Sequence, residues 1–198
     1  MKIFLKAKHW QLFLLTFAIP FFLYMSGIVI MIAILATQRV HDPYIGLRFL
    51  PFFIFIGLIA TVVQYGWMWA SGIILNKRLP EELRLNTVLF KICFFYPFIY
   101  MPIVILIVFT NLPPDPGMFP LAFLAIIPFH IFAIFCSFYC YYFVARVIKT
   151  NEMDMHTTVN DYIAEIFMIW FFFIGIWFLQ PKINKIISES DNQEVTGQ

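Results

Sequence analysis

Four long apolar runs dominate the chain, at residues 11–36, 49–75, 88–112 and 118–144, and Lys91 is the single charged side chain within any of them. Each exceeds the roughly 20 residues that, at ~1.5 Å per residue, cross a hydrocarbon core of about 30 Å. Hydrocarbon offers no partner to a backbone N–H or C=O, so such runs must be helices, which satisfy these groups internally. The expected fold is therefore an all-α, polytopic transmembrane helix bundle, one integral membrane domain over residues 1–198. Composition agrees: 62% of residues are hydrophobic and 12% charged, outside the makeup of a soluble domain. A net charge of +2 is too small to point to nucleic acid. The abundant Phe reads as lipid-facing bulk.

Charge position sets the orientation. Lys2, Lys6 and Lys8 precede the first run, Lys77, Arg78, Arg84 and Lys91 surround the junction of the second and third, and Arg146 and Lys149 follow the fourth. Only Arg39 and Arg48 lie on the other side, so the positive-inside rule places the N-terminus in the cytoplasm. The first run is far longer than the ~7–15 residues of a signal-peptide core and no small-x-small site closes it, which makes it an uncleaved anchor. Between the third and fourth runs, NLPPDPGMFP is a short stiff linker that predicts antiparallel neighbouring helices.

The stretch DYIAEIFMIWFFFIGIWFLQPKINK at residues 161–185 is ambiguous. Its unbroken apolar part, residues 166–179, covers only ~21 Å as a helix, and lengthening it draws Glu165 toward the lipid, where a carboxylate needs a partner, protonation or a shallow position. A full crossing would also move Lys182 and Lys185 to the face that carries few basic residues. Residues 162–179 are accordingly read as a re-entrant or interfacial segment, with a fifth span as the alternative, and Trp170 and Trp177, seven residues apart, as one interfacial side of a helix. Residues 181–190 read as an amphipathic tail helix beginning at Pro181, which keeps the C-terminus cytoplasmic.

Polar side chains inside a bilayer are the informative ones. Gln64 and His130 stand at mid-span. Gly57, Thr61, Gln64, Met68 and Ser71 trace one helix face, and Ala122, Ile126, His130, Ala133, Ser137 and Cys140 trace another. Both have the small and polar character of helix seams, and Gly66 with Ala70 adds a small-xxx-small pair. Two uses fit Gln64 and His130: bonding to each other or to nearby backbone, or lining a pathway. Glu165, with Asp161, Arg146 and His156 nearby in sequence, forms the main ionisable cluster, read as ion pairs that dock the final segment. Cys93, Cys136 and Cys140 lie inside apolar runs and read as buried thiols. Cys136 and Cys140 share a helix face, but His130 points roughly 120° away from it, so no metal site is expected. Pro20, Pro97, Pro102 and Pro128 interrupt the spans and favour kinks.

No G-x-S-x-G, H-E-x-x-H, C-x-x-C or phosphate-binding glycine loop occurs, so neither enzymatic activity nor a cofactor is expected. The closing WFFFIGIWFLQPKIN and the KHW near the start resemble small uncharacterised four-span bacterial membrane proteins, a likeness that implies a membrane accessory role and transfers no functional residue. The function expected is non-enzymatic association in the inner (cytoplasmic) membrane, as a homo-oligomer or as the anchor or accessory subunit of a larger complex with a partner on the cytoplasmic side. The alternative is a small channel, permease or membrane-acting effector with Gln64 and His130 lining a pathway.

Overall fold

The computed structural model describes residues 2–37, 45–110 and 119–196, and every regular element among them is helical. A short α1 (Lys2–Lys6) precedes α2 (His9–Phe13), which continues through a π-helical turn (Leu14–Ala18) into α3 (Ile19–Thr37). Next, α4 (Ile45–Ala70) passes through a second π-helical turn (Ser71–Leu75) into α5 (Asn76–Arg78). After a one-turn 3-10 helix (Glu81–Leu83) come α6 (Val88–Thr110), α7 (Phe119–Met153), α8 (Val159–Trp170) and α9 (Phe172–Thr196). Among the described residues, four stretches are long and apolar enough to cross a membrane: His9–Thr37, Gly46–Arg78, Val88–Leu106 and Ile126–Met153. This is an all-α, membrane-embedded protein. Most of the interhelix linkers QRVHDPYIGLR and NLPPDPGMFP lies outside the described residues.

The first π-helical turn has a cause in the sequence. Pro20 has no N–H to give the carbonyl of Thr16, and just ahead of it the N–H of Ile19 reaches back five residues to the carbonyl of Leu14.

The chain packs as two units. In the unit formed by Met1–Leu75 and Phe167–Gln198, α3 and α4 run antiparallel. The Tyr24 hydroxyl donates to the Phe53 carbonyl at 2.7 Å, and the two rings stack with centroids 5.4 Å apart. Along α4 and the π-helical turn after it, Met68 and Ser71 are buried and Gly57, Thr61 and Gln64 half-buried, so the expected small and polar face is turned away from the surface. Gly66 serves a different purpose from the one expected. A Cβ there would meet the Phe4 ring at 2.8 Å, so the missing side chain admits an aromatic ring of α1 where a helix–helix backbone contact had been predicted.

In the unit Asn76–Ile166, α6 and α7 are antiparallel, as the linker required. Going up α6 the contacts go down α7: Phe90 stacks on Phe143 at 4.5 Å, Tyr96 meets Phe132 edge-on at 4.7 Å, and Tyr100 lies beside His130. The 76–86 loop closes on itself. Asn76 both donates to the Leu85 carbonyl (2.8 Å) and accepts from the Leu85 N–H (2.9 Å), while Arg84 donates to the carbonyls of Leu79 and Lys77. Beyond its apolar run, α7 continues to Met153, so Arg146 and Lys149 sit on a helix rather than in the expected connection. It stops at Asp154, which takes a left-handed φ of 54°.

Two expectations for the C-terminal part are corrected. Trp170 and Trp177 do not share a helix side, because the helix breaks at Phe171. There the carbonyl of Met168 is approached by the backbone of Gly175, and any Cβ on Gly175 would collide with that carbonyl. Trp177 instead packs on His9 (4.7 Å) and Phe13 (5.4 Å), whereas Trp170 lies against Phe167 and Phe171. Nor does a new helix begin at Pro181, which lies inside α9. Its fixed φ suits a helix, and the loss is one backbone bond to the Trp177 carbonyl. The amphipathic pattern itself holds: Ile183 and Ile187 are buried and Lys185 is exposed.

Candidate functional site

Lipid leaves polar side chains no partner, so the candidate sites are found by asking where each one finds its own. Ser137 is satisfied locally, its hydroxyl donating to the Ala133 carbonyl one turn back at 3.0 Å. Ser71 is fully buried and its hydroxyl makes no hydrogen bond. Gln64 is half-buried, and its side chain has no hydrogen bond among the described residues. Gln64 and His130 belong to different packing units.

His130 is exposed at the middle of α7. Its closest polar neighbour is the Tyr100 hydroxyl, 3.5 Å from Nδ1, at the outer limit of a hydrogen bond. Together they border a cleft of about 350 Å³ whose other walls are apolar, among them Met101, Val104, Ile127 and Ile131. One turn away, the Tyr96 hydroxyl donates to the Phe129 carbonyl at 3.2 Å. The site is a polar pair at the edge of an apolar groove, able to give or take a hydrogen bond within the bilayer.

The ionisable cluster forms where α7 and α8 meet. Residues 142, 146, 149 and 150 share a face of α7, and Tyr162 and Glu165 share one of α8. Glu165 is buried, and its carboxylate lies 3.8 Å from the Lys149 ammonium, which also binds Glu152 at 3.1 Å. Arg146 does not pair with Glu165. Its Nη1 donates to the Tyr142 hydroxyl at 3.1 Å, its Nε is buried without a partner, and Tyr142 meets Tyr162 edge-on. Thr150 and Thr157 hydrogen-bond at 3.1 Å, bracing the turn between the helices. Asp161, expected in the cluster, instead caps α8: it accepts from the N–H (2.7 Å) and hydroxyl (2.8 Å) of Thr158. These two bonds, the backbone one foremost, hold its carboxyl below the usual carboxylate range. His156 is exposed. The arrangement docks one helix on another by charge, as expected for Glu165, with Lys149 in the role given to Arg146.

Lys149 was legible in principle, since it lies one turn beyond Arg146 on the same face. A second node escaped the sequence reading. Gln180 is fully buried; its Oε1 accepts from Trp67 Nε1 at 2.7 Å, and its Nε2 lies within bonding distance of the carbonyls of Ala7 (2.8 Å), Leu5 (3.0 Å) and Phe4 (3.2 Å) and of Asn184 Oδ1 (3.0 Å). The terminal carbonyls of a helix as short as α1 cannot be satisfied within it, and Gln180 supplies what the helix lacks. The signal was a lone amide between an apolar run and a proline.

All three cysteines are buried and none forms a disulfide. Among the described residues no three His, Cys, Asp or Glu side chains converge as a metal-ligand set. No protein-family model matches this chain, and neither curated proteins nor solved structures yield a match.

Proposed function

We propose that this protein acts without catalysis, by lateral association within the cytoplasmic membrane, as a homo-oligomer or as the membrane anchor of a larger complex. The observation that carries this reading is His130: a polar ring exposed at the centre of an apolar helix, with one partner at the limit of bonding distance. Lipid cannot complete its hydrogen bonding, whereas a neighbouring transmembrane helix can. Gln64, half-buried with an unused amide, makes the same demand on the other unit. The basic residues flanking the spans support a cytoplasmic N-terminus and C-terminus, and the internally bonded 76–86 loop, with Glu81 and Glu82 exposed, offers a partner a preformed cytoplasmic surface.

Förster transfer between labelled copies in liposomes tests self-association, and co-purification from the native membrane tests a heterologous partner. An interhelical hydrogen bond in a bilayer contributes ~0.6 kcal/mol on average and at most ~1.7. His130→Leu should therefore weaken whichever association is found by about threefold to twentyfold, with the chain still folded. A wild-type protein that is monomeric in liposomes and co-purifies with no partner overturns the reading, and solute flux lost in His130→Leu and Gln64→Leu replaces it with transport.

A further inference from the structure

The Tyr100–His130 pair has more hydrogen-bonding capacity than the two side chains use on each other. Both line one cleft of about 350 Å³ between α6 and α7, and Tyr100 is already held in place there. Its ring stacks on Tyr96 with centroids 5.6 Å apart, and the Tyr96 hydroxyl donates to the Phe129 carbonyl of α7 at 3.2 Å. The Tyr100 hydroxyl lies 3.5 Å from Nδ1 of His130. When it donates there, the proton of the neutral imidazole sits on Nε2, so the pair is left with one N–H to give and one hydroxyl oxygen to accept. His130 is exposed, and so are Ile127, Ile131, Ile134 and Phe138, which advance along α7 by four, three and four residues, the spacing of a helix–helix seam.

Two copies inserted in the same orientation are related by an axis along the membrane normal, so in a two-fold dimer each residue of the contact face meets groups at its own depth. At the depth of His130 this face carries one donor and one acceptor, and a second copy supplies one acceptor and one donor. An acyl chain would fill the cleft and leave both unused, as would a neighbouring helix with no polar group at that depth. We propose that the cleft is the contact face of a two-fold homodimer, in which each His130 Nε2–H donates to the Tyr100 hydroxyl of the other copy and Ile127 and Ile131 pack along the opposing α6–α7 groove. Every polar atom of the four side chains then has a partner. The proposal rests on the reading that the protein acts by association, and selects a second copy over other partners.

The full-length protein is reconstituted in liposomes of phosphatidylcholine and phosphatidylglycerol, where Förster transfer between labelled copies reads association and oxidative cross-linking reads the face. Ile131→Cys should give a disulfide-linked product of twice the chain mass, and Ile127→Cys serves if that variant folds poorly. Neither Val29→Cys, exposed on α3, nor the wild type, whose cysteines are buried, should give it. An interhelical hydrogen bond in a bilayer is worth about threefold in affinity, and the dimer has two, so Tyr100→Phe should loosen it about tenfold. His130→Leu should do the same, and the double substitution should add nothing further. Transfer that persists without the Ile131→Cys and Ile127→Cys products overturns the two-fold contact and leaves association standing, whereas loss of transfer in the wild type overturns both. A cross-linked product in native membranes of any mass other than twice the chain, or a Tyr100→Phe protein that associates as tightly as the wild type, would also overturn the proposal.

Discussion

Gln180→Leu keeps the approximate size of a side chain that is fully buried and removes every hydrogen bond it makes. The indole N–H of Trp67, itself 0% exposed, loses the acceptor at 2.7 Å, and a buried donor left unsatisfied costs ~1–3 kcal/mol. The carbonyls of Leu5 and Ala7 lose their donor at 3.0 and 2.8 Å, although Asn184 still reaches Ala7 at 3.3 Å, so this loss is about half the first. The total is about 3 kcal/mol, on the same scale of ~1–3 kcal/mol per orphaned group. The assay is reversible unfolding in mixed detergent–SDS micelles, with limited proteolysis of the first ten or so residues reporting whether α1 has detached.

A double-mutant cycle makes the argument specific. Trp67→Phe removes the orphaned donor, so Gln180→Leu should cost less in that background, by about 1–2 kcal/mol, as expected for groups in direct contact. If the two substitutions add to within ~0.5 kcal/mol, or if Gln180→Leu alone costs less than that, the node is not holding α1 and the reasoning fails.

Three further outcomes follow from the same geometry. Gly175→Ala should destabilise the protein by ~2 kcal/mol or more in the same micelle titration, because the added methyl collides with the Met168 carbonyl and the backbone must shift. Lys149→Met should cost ~3 kcal/mol, since it removes the ammonium 3.8 Å from the buried Glu165 carboxylate, whereas Glu152→Gln, at the more exposed pair, should cost less than ~1 kcal/mol; equal losses would refute the difference in burial. Because the Asp161 carboxyl is held down by Thr158, its folded-state ionisation lies below the unfolded value. The cap should therefore contribute fully above the ordinary carboxylate range of about 4 and be lost as pH falls through the lower folded value. Hydrogen exchange of the first α8 amides should accelerate over that acid window in the wild type relative to its intrinsic rate, and Asp161→Asn should remove the transition.

The long apolar runs determined the helices, their number capable of crossing a bilayer and the antiparallel pairing of α6 with α7, because hydrocarbon leaves the backbone one way to satisfy itself and a short linker leaves little choice of neighbour. The inward α4 face from Gly57 to Ser71 was equally legible, since small and polar groups at helical spacing have nowhere else to go. Glu165 could be predicted to need a cation, yet which cation depends on the angle between two helices. Arg146 and Lys149 share a face, and only the placement of α8 brings the second within reach.

The break at Phe171 was invisible because nothing local demands it: Gly175 permits a close approach without requiring one, and the Trp170–Trp177 spacing presumes an unbroken helix. Gln180 was hidden for the opposite reason, its partners lying more than 100 positions away at Trp67 and 173 or more at Phe4, Leu5 and Ala7. Periodicity reports what a helix does with its own backbone. The pairing of distant polar groups is settled by tertiary packing, which decides whose unmet hydrogen bonds end up side by side.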